Sequence, residues 1–228
     1  MKPVFVAFDT ETTGLEPESC EVCEVAGVKF TISPEGAPSI IGQFASLIQI
    51  EGSMPPEASR INNIYDSMLV GAPQSKDALQ RFFRWVGPSA IMLAHHAAFD
   101  MAFLGWAVHK YSLMLPKNPT FCTKRMAIRL VAGRHRLMDL EEALLGKDPW
   151  QALKGSGQKH RALYDSQLLA HVFCAMMKLG VPAKTFETTT QTLKALSALD
   201  KAKRSFDAPM DSHQLQQEMA DMKRSGCR

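Results

Sequence analysis

Residues 4–8, VFVAF, are apolar and β-prone, and the chain continues at once into FDTETTGL, with carboxylates at Asp9 and Glu11. An unbroken apolar run of this length reads as a strand buried on both faces. Residues two apart on a strand share a face, so Asp9 and Glu11 project together at the carboxyl end of a strand central to its sheet. Two like charges so placed repel each other and raise one another's pKa unless a cation stands between them. Their oxygens suit a hard divalent ion, Mg²⁺ or Mn²⁺. A solvated turn in which Asp9 and Thr10 cap the backbone of TETTG is the competing reading of these residues taken alone.

Two further stretches place acids in matching positions. In AHHAAFDMAFL, Asp100 opens a helix straight after a second apolar strand. An aspartate caps a helix well, yet the carboxyl ends of strands are also where ligands gather in open α/β sheets. In HRALYDSQLLAHVF, His160 stands at the entrance of a helix and Asp165 a turn inside it, with Leu163, Leu168, Leu169, Val172 and Phe173 forming the apolar face. An imidazole with a pKa of about 6.5 suits proton transfer near neutrality. Together Asp9, Glu11, Asp100, Asp165 and His160 supply what two-metal hydrolysis of a phosphodiester requires: carboxylates for two cations about 4 Å apart, and a base for the attacking water.

The 228 residues, 46% hydrophobic and 21% charged, suffice for one α/β domain with an extension. Residues 22–32 and 40–50 read as strands separated by the turn-rich SPEGAPS. Helical spacing covers Ser75–Val86 and stops at Gly87-Pro88; AIMLAHHAAF is a buried strand feeding the helix DMAFLGWAVHKY. Further helices are expected near Thr123–Val131, Met138–Leu145 and Arg161–Leu179. Strands first, then strands alternating with helices, predict a mixed sheet flanked by helices. After Gly180-Val181-Pro182 the composition turns polar, which divides the chain into a domain at 1–180 and an extension at 181–228, flexible or helical in pieces. Trp85 and Trp106 stand at helical core spacing.

No apolar run approaches about 18 residues, so no membrane span is expected, and MKPVFVAFDT reaches acids too soon for a secretory signal. The net charge of +3 permits a nucleic-acid partner without arguing for one. Five cysteines in no disulfide pattern point to a reduced, cytoplasmic setting. Cys20 and Cys23 form a CxxC with no second half to complete a zinc site, and read as small residues entering a strand.

FDTETTGL, HHAAFDMAFL and HRALYDSQLLA resemble, in order and separation, the three exonuclease motifs of the DnaQ-like (DEDDh) 3′–5′ exonucleases. The chain is most similar to the branch of epsilon proofreading subunits of bacterial DNA polymerase III. VCEVAGVKF, INNIYDSML and PTFCTKRMAIRL extend the likeness over roughly residues 3–180. The resemblance implies a ribonuclease H-like α/β fold with a five-stranded mixed sheet flanked by helices. It implies Asp9, Glu11, Asp100 and Asp165 as ligands of two divalent cations, and His160 as general base. Thr12 and Leu15 match positions near the terminal nucleotide, Ile61 or Ile64 the apolar wedge beside its base, and Phe99 the aromatic of the second motif, where packing is its role. His96 stands where the family usually has Asn, as a substrate contact, an extra metal ligand, or a residue that packs or supports behind the site. Asn62-Asn63-Ile64 replaces His-Gly-Ile, and Ser166 replaces an alanine.

The implied activity is release of nucleoside 5′-monophosphates from 3′ ends, single-stranded DNA ahead of RNA, in proofreading. The alternatives are an exoribonuclease, or a polymerase- or clamp-binding module with weak catalysis. QTLKAL, Gln191 to Leu196, is placed as a sliding-clamp peptide is in the epsilon branch, which makes a DNA polymerase or clamp the expected partner of the extension. Lys124, Arg125, Arg129, Arg134 and Arg136 either grip phosphates or form a solvated helix face.

Overall fold

The computed structural model describes residues 2–114, 116–146, 160–180 and 188–199. Strands β1 (Phe5–Thr12), β2 (Val22–Ile32), β3 (Pro38–Leu47), β4 (Ile91–Ala94) and β5 (Thr120–Cys122) form one five-stranded sheet in the order β3-β2-β1-β4-β5. The first three pair antiparallel, whereas β4 runs parallel to both β1 and β5. The sheet is therefore mixed, with the hairpins on one side and the helical crossovers on the other. The helices are α1 (Pro56–Asn62), α2 (Asp66–Leu69), α3 (Ser75–Val86), α4 (Ala97–Tyr111), α5 (Thr123–Leu130), α6 (Leu137–Leu145), α7 (Ala162–Gly180) and α8 (Thr189–Leu199).

VFVAF lacks alternation because β1 is covered on both sides. Val6 and Phe8 pack with Leu79 and Phe82 of α3 and Phe103 and Leu104 of α4. Phe5 and Ala7 pack on the opposite face with Leu168, Leu169, Val172 and Phe173 of α7. The Phe5 ring lies 5.3 Å from Phe30 and 5.1 Å from Phe173. Each such buried side chain contributes about 1.5–3 kcal/mol. On the outer part of the sheet Trp85 lies against Phe44 and Phe82, and a Cβ at Gly27 would come 3.0 Å from the indole, so a larger residue there would push the ring outward.

Two elements run differently from the sequence reading, and both changes bear on the acids. β1 does not stop at Phe8: its ladder with β2 carries on through Asp9↔Ala26, Thr10↔Val25 and Glu11↔Glu24. The turn begins only afterwards, where the Thr12 hydroxyl donates to the Gly14 carbonyl (2.6 Å). Asp9 and Glu11 thus sit on ordered strand rather than on a capped turn. Likewise β4 ends at Ala94 and α4 starts at Ala97, so Asp100 is the fourth helical residue and not the cap. Trp106, expected in the core, is 39% exposed.

The segment QTLKAL is helical. Thr188 and Gln191 form a reciprocal cap: the Thr188 N–H donates to Gln191 Oε1 (3.0 Å), and the Gln191 N–H donates to Thr188 Oγ1 (3.2 Å). Leu196 is fully buried, and Leu193 packs against the same cluster as α7. The glutamine and leucines that suggest a clamp peptide here start a helix and cover the core, so α8 is a helical piece of the predicted extension that packs on the domain. The rest of the predicted extension, 181–187 and 200–228, lies outside the described residues. Among the described residues no helix is long and apolar enough to cross a membrane.

Candidate active site

The alternation of β1 puts Asp9 and Glu11 on the face shared by Phe5 and Ala7, which α7 covers. Asp165, fourth in α7, meets them there. One carboxylate oxygen from each of Asp9, Glu11 and Asp165 lies within 4.8 Å of the others. Asp100 arrives from the opposite side of the sheet, on α4. Its Oδ1 accepts hydrogen bonds from the Thr10 backbone N–H (3.1 Å) and hydroxyl (2.9 Å), which fastens α4 to the end of β1. All four acids line one groove together with Thr10, Ile61, His95, His96, Phe99, Leu137, Met138 and His160. Helices from both faces thus converge on the carboxyl end of the central strand, and they bring together residues 156 positions apart (165 − 9).

Burial first, and then the charges of Asp100, Glu11, Asp165 and Glu24, hold the Asp9 carboxyl well above the ordinary carboxylate range. A set of hard oxygen donors carrying mutual repulsion fits a divalent cation, which removes the cost of gathering them. This has a consequence for stability. A carboxyl whose pKa is higher in the folded than in the unfolded chain costs stability once it ionises, so the loss sets in as pH rises above about 4 and is complete above the folded pKa. In chelator, Asp9→Asn is expected to melt at a higher temperature than the wild type at neutral pH, with the gap closing towards about pH 4. Equal melting temperatures at both pH values would remove the repulsion from the account.

His160 immediately precedes the Arg161 cap of α7, is exposed at the groove, and holds a left-handed backbone at φ 58°. His96 is likewise left-handed, at φ 76°, directly before α4. Histidine, like asparagine, is enriched in that conformation, which is a backbone reason why either residue serves at this position. The His96 Nδ1 is buried without a hydrogen-bond partner among the described residues, and burial followed by the nearby Lys124 charge lowers the imidazole pKa to about 4. The ring is therefore neutral near pH 7.

Of the two candidates for the apolar wedge, the structure brings only Ile61 to the groove, 41% exposed. Ile64 is fully buried against Cys23, Met54, Ala58 and Leu69, so it supports α1 and does not line the groove. Asn62 is buried as well: its amide donates to the Thr12 carbonyl (3.4 Å) and its Oδ1 accepts from the Ile64 N–H (3.0 Å). Asn63 takes the left-handed C-cap at φ 54°, a conformation asparagine shares with glycine. Thr12 is buried, Leu15 packs on the α3–α4 side of the core, and neither lines the groove among the described residues. Phe99 does both things: it lines the groove and packs against Phe103, with ring centroids 4.9 Å apart and the planes tilted by 49°.

Three groove residues carry no sequence signal. Leu137 and Met138 open α6, and nothing in the apolar spacing of that helix tells groove from core. His95 is a half-buried strut. Its Nε2 lies 2.8 Å from the His135 carbonyl, an obligate acceptor, so Nε2 carries the proton; Nδ1 stands 3.0 Å from the Thr123 hydroxyl. Burial depresses its pKa to about 4. Through this strut β4 holds the loop that leads into Leu137 and Met138. Arg136 is committed elsewhere, forming a forked pair with Asp139 (2.8 and 2.7 Å), which removes it from the set of phosphate-gripping candidates.

Comparison with known proteins gives the chain's relatives. The profile of the RNase_T exonucleases matches residues 6–173. A PolC-type DNA polymerase III from Staphylococcus saprophyticus is 32% identical over 176 residues, 76% of this chain and 11% of that protein. A DNA polymerase III subunit epsilon from Treponema pallidum is 39% identical over 100 residues, 44% of each chain. The chain thus spans less than half the length of these curated relatives. Among solved structures, exonuclease X in complex with 5′ overhanging duplex DNA superposes with a TM-score of 0.61 at 24% identity, over 80% of this chain and 96% of that one. Its five-stranded mixed sheet has the ribonuclease H-like fold of these neighbours. By its matched span and its relatives, the chain belongs to the RNase_T exonuclease family, the DnaQ-like 3′–5′ exonucleases.

Proposed function

We propose that this chain is a metal-dependent 3′–5′ exonuclease that releases nucleoside 5′-monophosphates, with single-stranded DNA as its preferred substrate. The observation that carries the reading is the meeting of Asp9, Glu11 and Asp165 within 4.8 Å, in a groove that also holds Asp100 and His160. Asp9, Glu11 and Asp165 would hold two divalent cations, Mg²⁺ or Mn²⁺, with Asp100 completing the set. Such ions, when bound, supply charge neutralisation at the scissile phosphodiester. The chain's own residues do the rest. His160, at the exposed lip of the groove, takes the proton from the attacking water. Ile61 presents an apolar edge to the terminal base, with Phe99 and Met138 as further apolar lining. The neutral His96 offers a hydrogen bond to the terminal nucleotide without adding charge to the acids.

The relatives named as DNA polymerase III proteins favour a setting beside a DNA polymerase, where the activity would serve proofreading. A clamp contact through Gln191–Leu196 would first require α8 to leave the core. The reading is tested with matched 3′-labelled DNA and RNA oligomers, single- and double-stranded, in Mg²⁺, Mn²⁺ or chelator. Stepwise shortening from the 3′ end of DNA, fastest on single strands and abolished by chelator, is the expected result. Faster shortening of RNA would reassign the substrate, and undiminished cleavage in chelator would remove the metals.

A further inference from the structure

Glu24 is buried on β2, directly opposite Glu11 in the ladder, and so shares its face with the acidic trio. A fifth carboxylate there would be expected to join the metal ligands, yet both its oxygens are otherwise engaged. Arg161 Nε donates to Glu24 Oε2 (3.0 Å) and Arg161 Nη2 to Oε1 (2.7 Å), a planar fork spanning 137 residues of sequence. The Ala162 N–H donates to the same Oε2 at 3.0 Å. Ala162 is the first residue of α7, so its N–H has no partner within the helix, and a carboxylate from a neighbouring strand both satisfies it and faces the positive end of the helix dipole.

This clamp sits between the two catalytic features of α7. His160, with its left-handed backbone, is the residue immediately before Arg161. Asp165 follows one turn later, and its N–H donates to the Arg161 carbonyl (3.0 Å) as the helix begins. Fixing Arg161 in place therefore fixes the direction in which the chain turns out of His160, and the starting phase of the helix that carries Asp165. The guanidinium charge also acts on Glu11, which offsets part of the repulsion that Glu24 adds at Asp9. Lysine would keep that charge but lose the fork.

We propose that Glu24 and Arg161 are positioning residues for the exonuclease reaction: their buried fork aims His160 over the groove. The inference rests on the reading of His160 as the base, and a double-mutant cycle separates the two. Steady-state rates of the full chain are measured on 3′-labelled single-stranded DNA in Mg²⁺, for Glu24→Gln, Arg161→Lys, His160→Ala and the double variants with His160→Ala. Glu24→Gln is expected to lower kcat about 10–100-fold, the usual effect of removing a partner that orients a functional group. KM should change little, and the loss should largely vanish in the His160→Ala background. Arg161→Lys should show the same pattern to a smaller degree, and it carries the test if Glu24→Gln melts below the assay temperature. An equal fold-loss with and without His160 overturns the clamp's role alone. A wild-type rate untouched by His160→Ala overturns both the clamp and the base.

Discussion

Asp9→Ala and Asp165→Ala are each expected to reduce hydrolysis of a 3′-labelled oligonucleotide in Mg²⁺ by about three orders of magnitude or more, equivalent to about 4 kcal/mol of lost transition-state stabilisation. The two residues come from β1 and α7, and with Glu11 they form the only carboxylate trio of metal-binding dimensions among the described residues. Removing either takes one charged oxygen ligand from the set that would hold the cations and place them at the phosphodiester. The fold should persist, because the apolar sides of both elements, Phe5 and Ala7 on one and Leu168, Leu169 and Phe173 on the other, are untouched. Initial rates together with a thermal melt check both halves of the statement. Full activity in a folded Asp9→Ala or Asp165→Ala protein would exclude these carboxylates from the chemistry.

The second large effect belongs to His160. A positioned general base is worth about 10²–10⁴-fold, so His160→Ala should lose a factor in that range at neutral pH. The sign of the pH dependence follows from the ring's chemistry. A general base acts only when unprotonated, so the wild-type rate should rise with pH as the imidazole loses its proton and then level off. The alanine variant lacks this limb and should regain part of its deficit only in alkali, where hydroxide replaces the assisted water. Identical pH–rate profiles for the two proteins would rule His160 out as the base. Asp9→Asn in chelator probes the complementary matter, the repulsion that the acids suffer when no cation offsets it.

The sheet, the order of its elements and the acids at strand ends were legible because each rests on local pattern. VFVAF has to be covered on both faces, and the period of two along FDTET places Asp9 and Glu11 on one side whatever the rest of the chain does. What was not legible depends on partners distant in sequence. The end of β1 at Thr12 rather than Phe8 is set by its ladder with β2, since Ala26, Val25 and Glu24 supply hydrogen bonds that no single-strand propensity contains. Ile61 and Ile64 are equally apolar and three apart; only the way α1 sits on Met54 and Leu69 decides which is buried. Gln191 and Leu196 imitate a linear binding peptide in composition, but the Thr188 three residues before that glutamine turns the pattern into a helix start. Glu24 was invisible as anything but a strand residue until Arg161, 137 positions later, was brought against it.

The most direct test of the account is a calorimetric titration of Mn²⁺ into the full chain at neutral pH, alongside the Asp9→Asn/Asp165→Asn double variant. Saturable binding to the wild type that the double variant loses is the predicted outcome. No saturable binding to the wild type, or binding that survives in the double variant, would contradict the claim that these carboxylates gather to hold divalent ions.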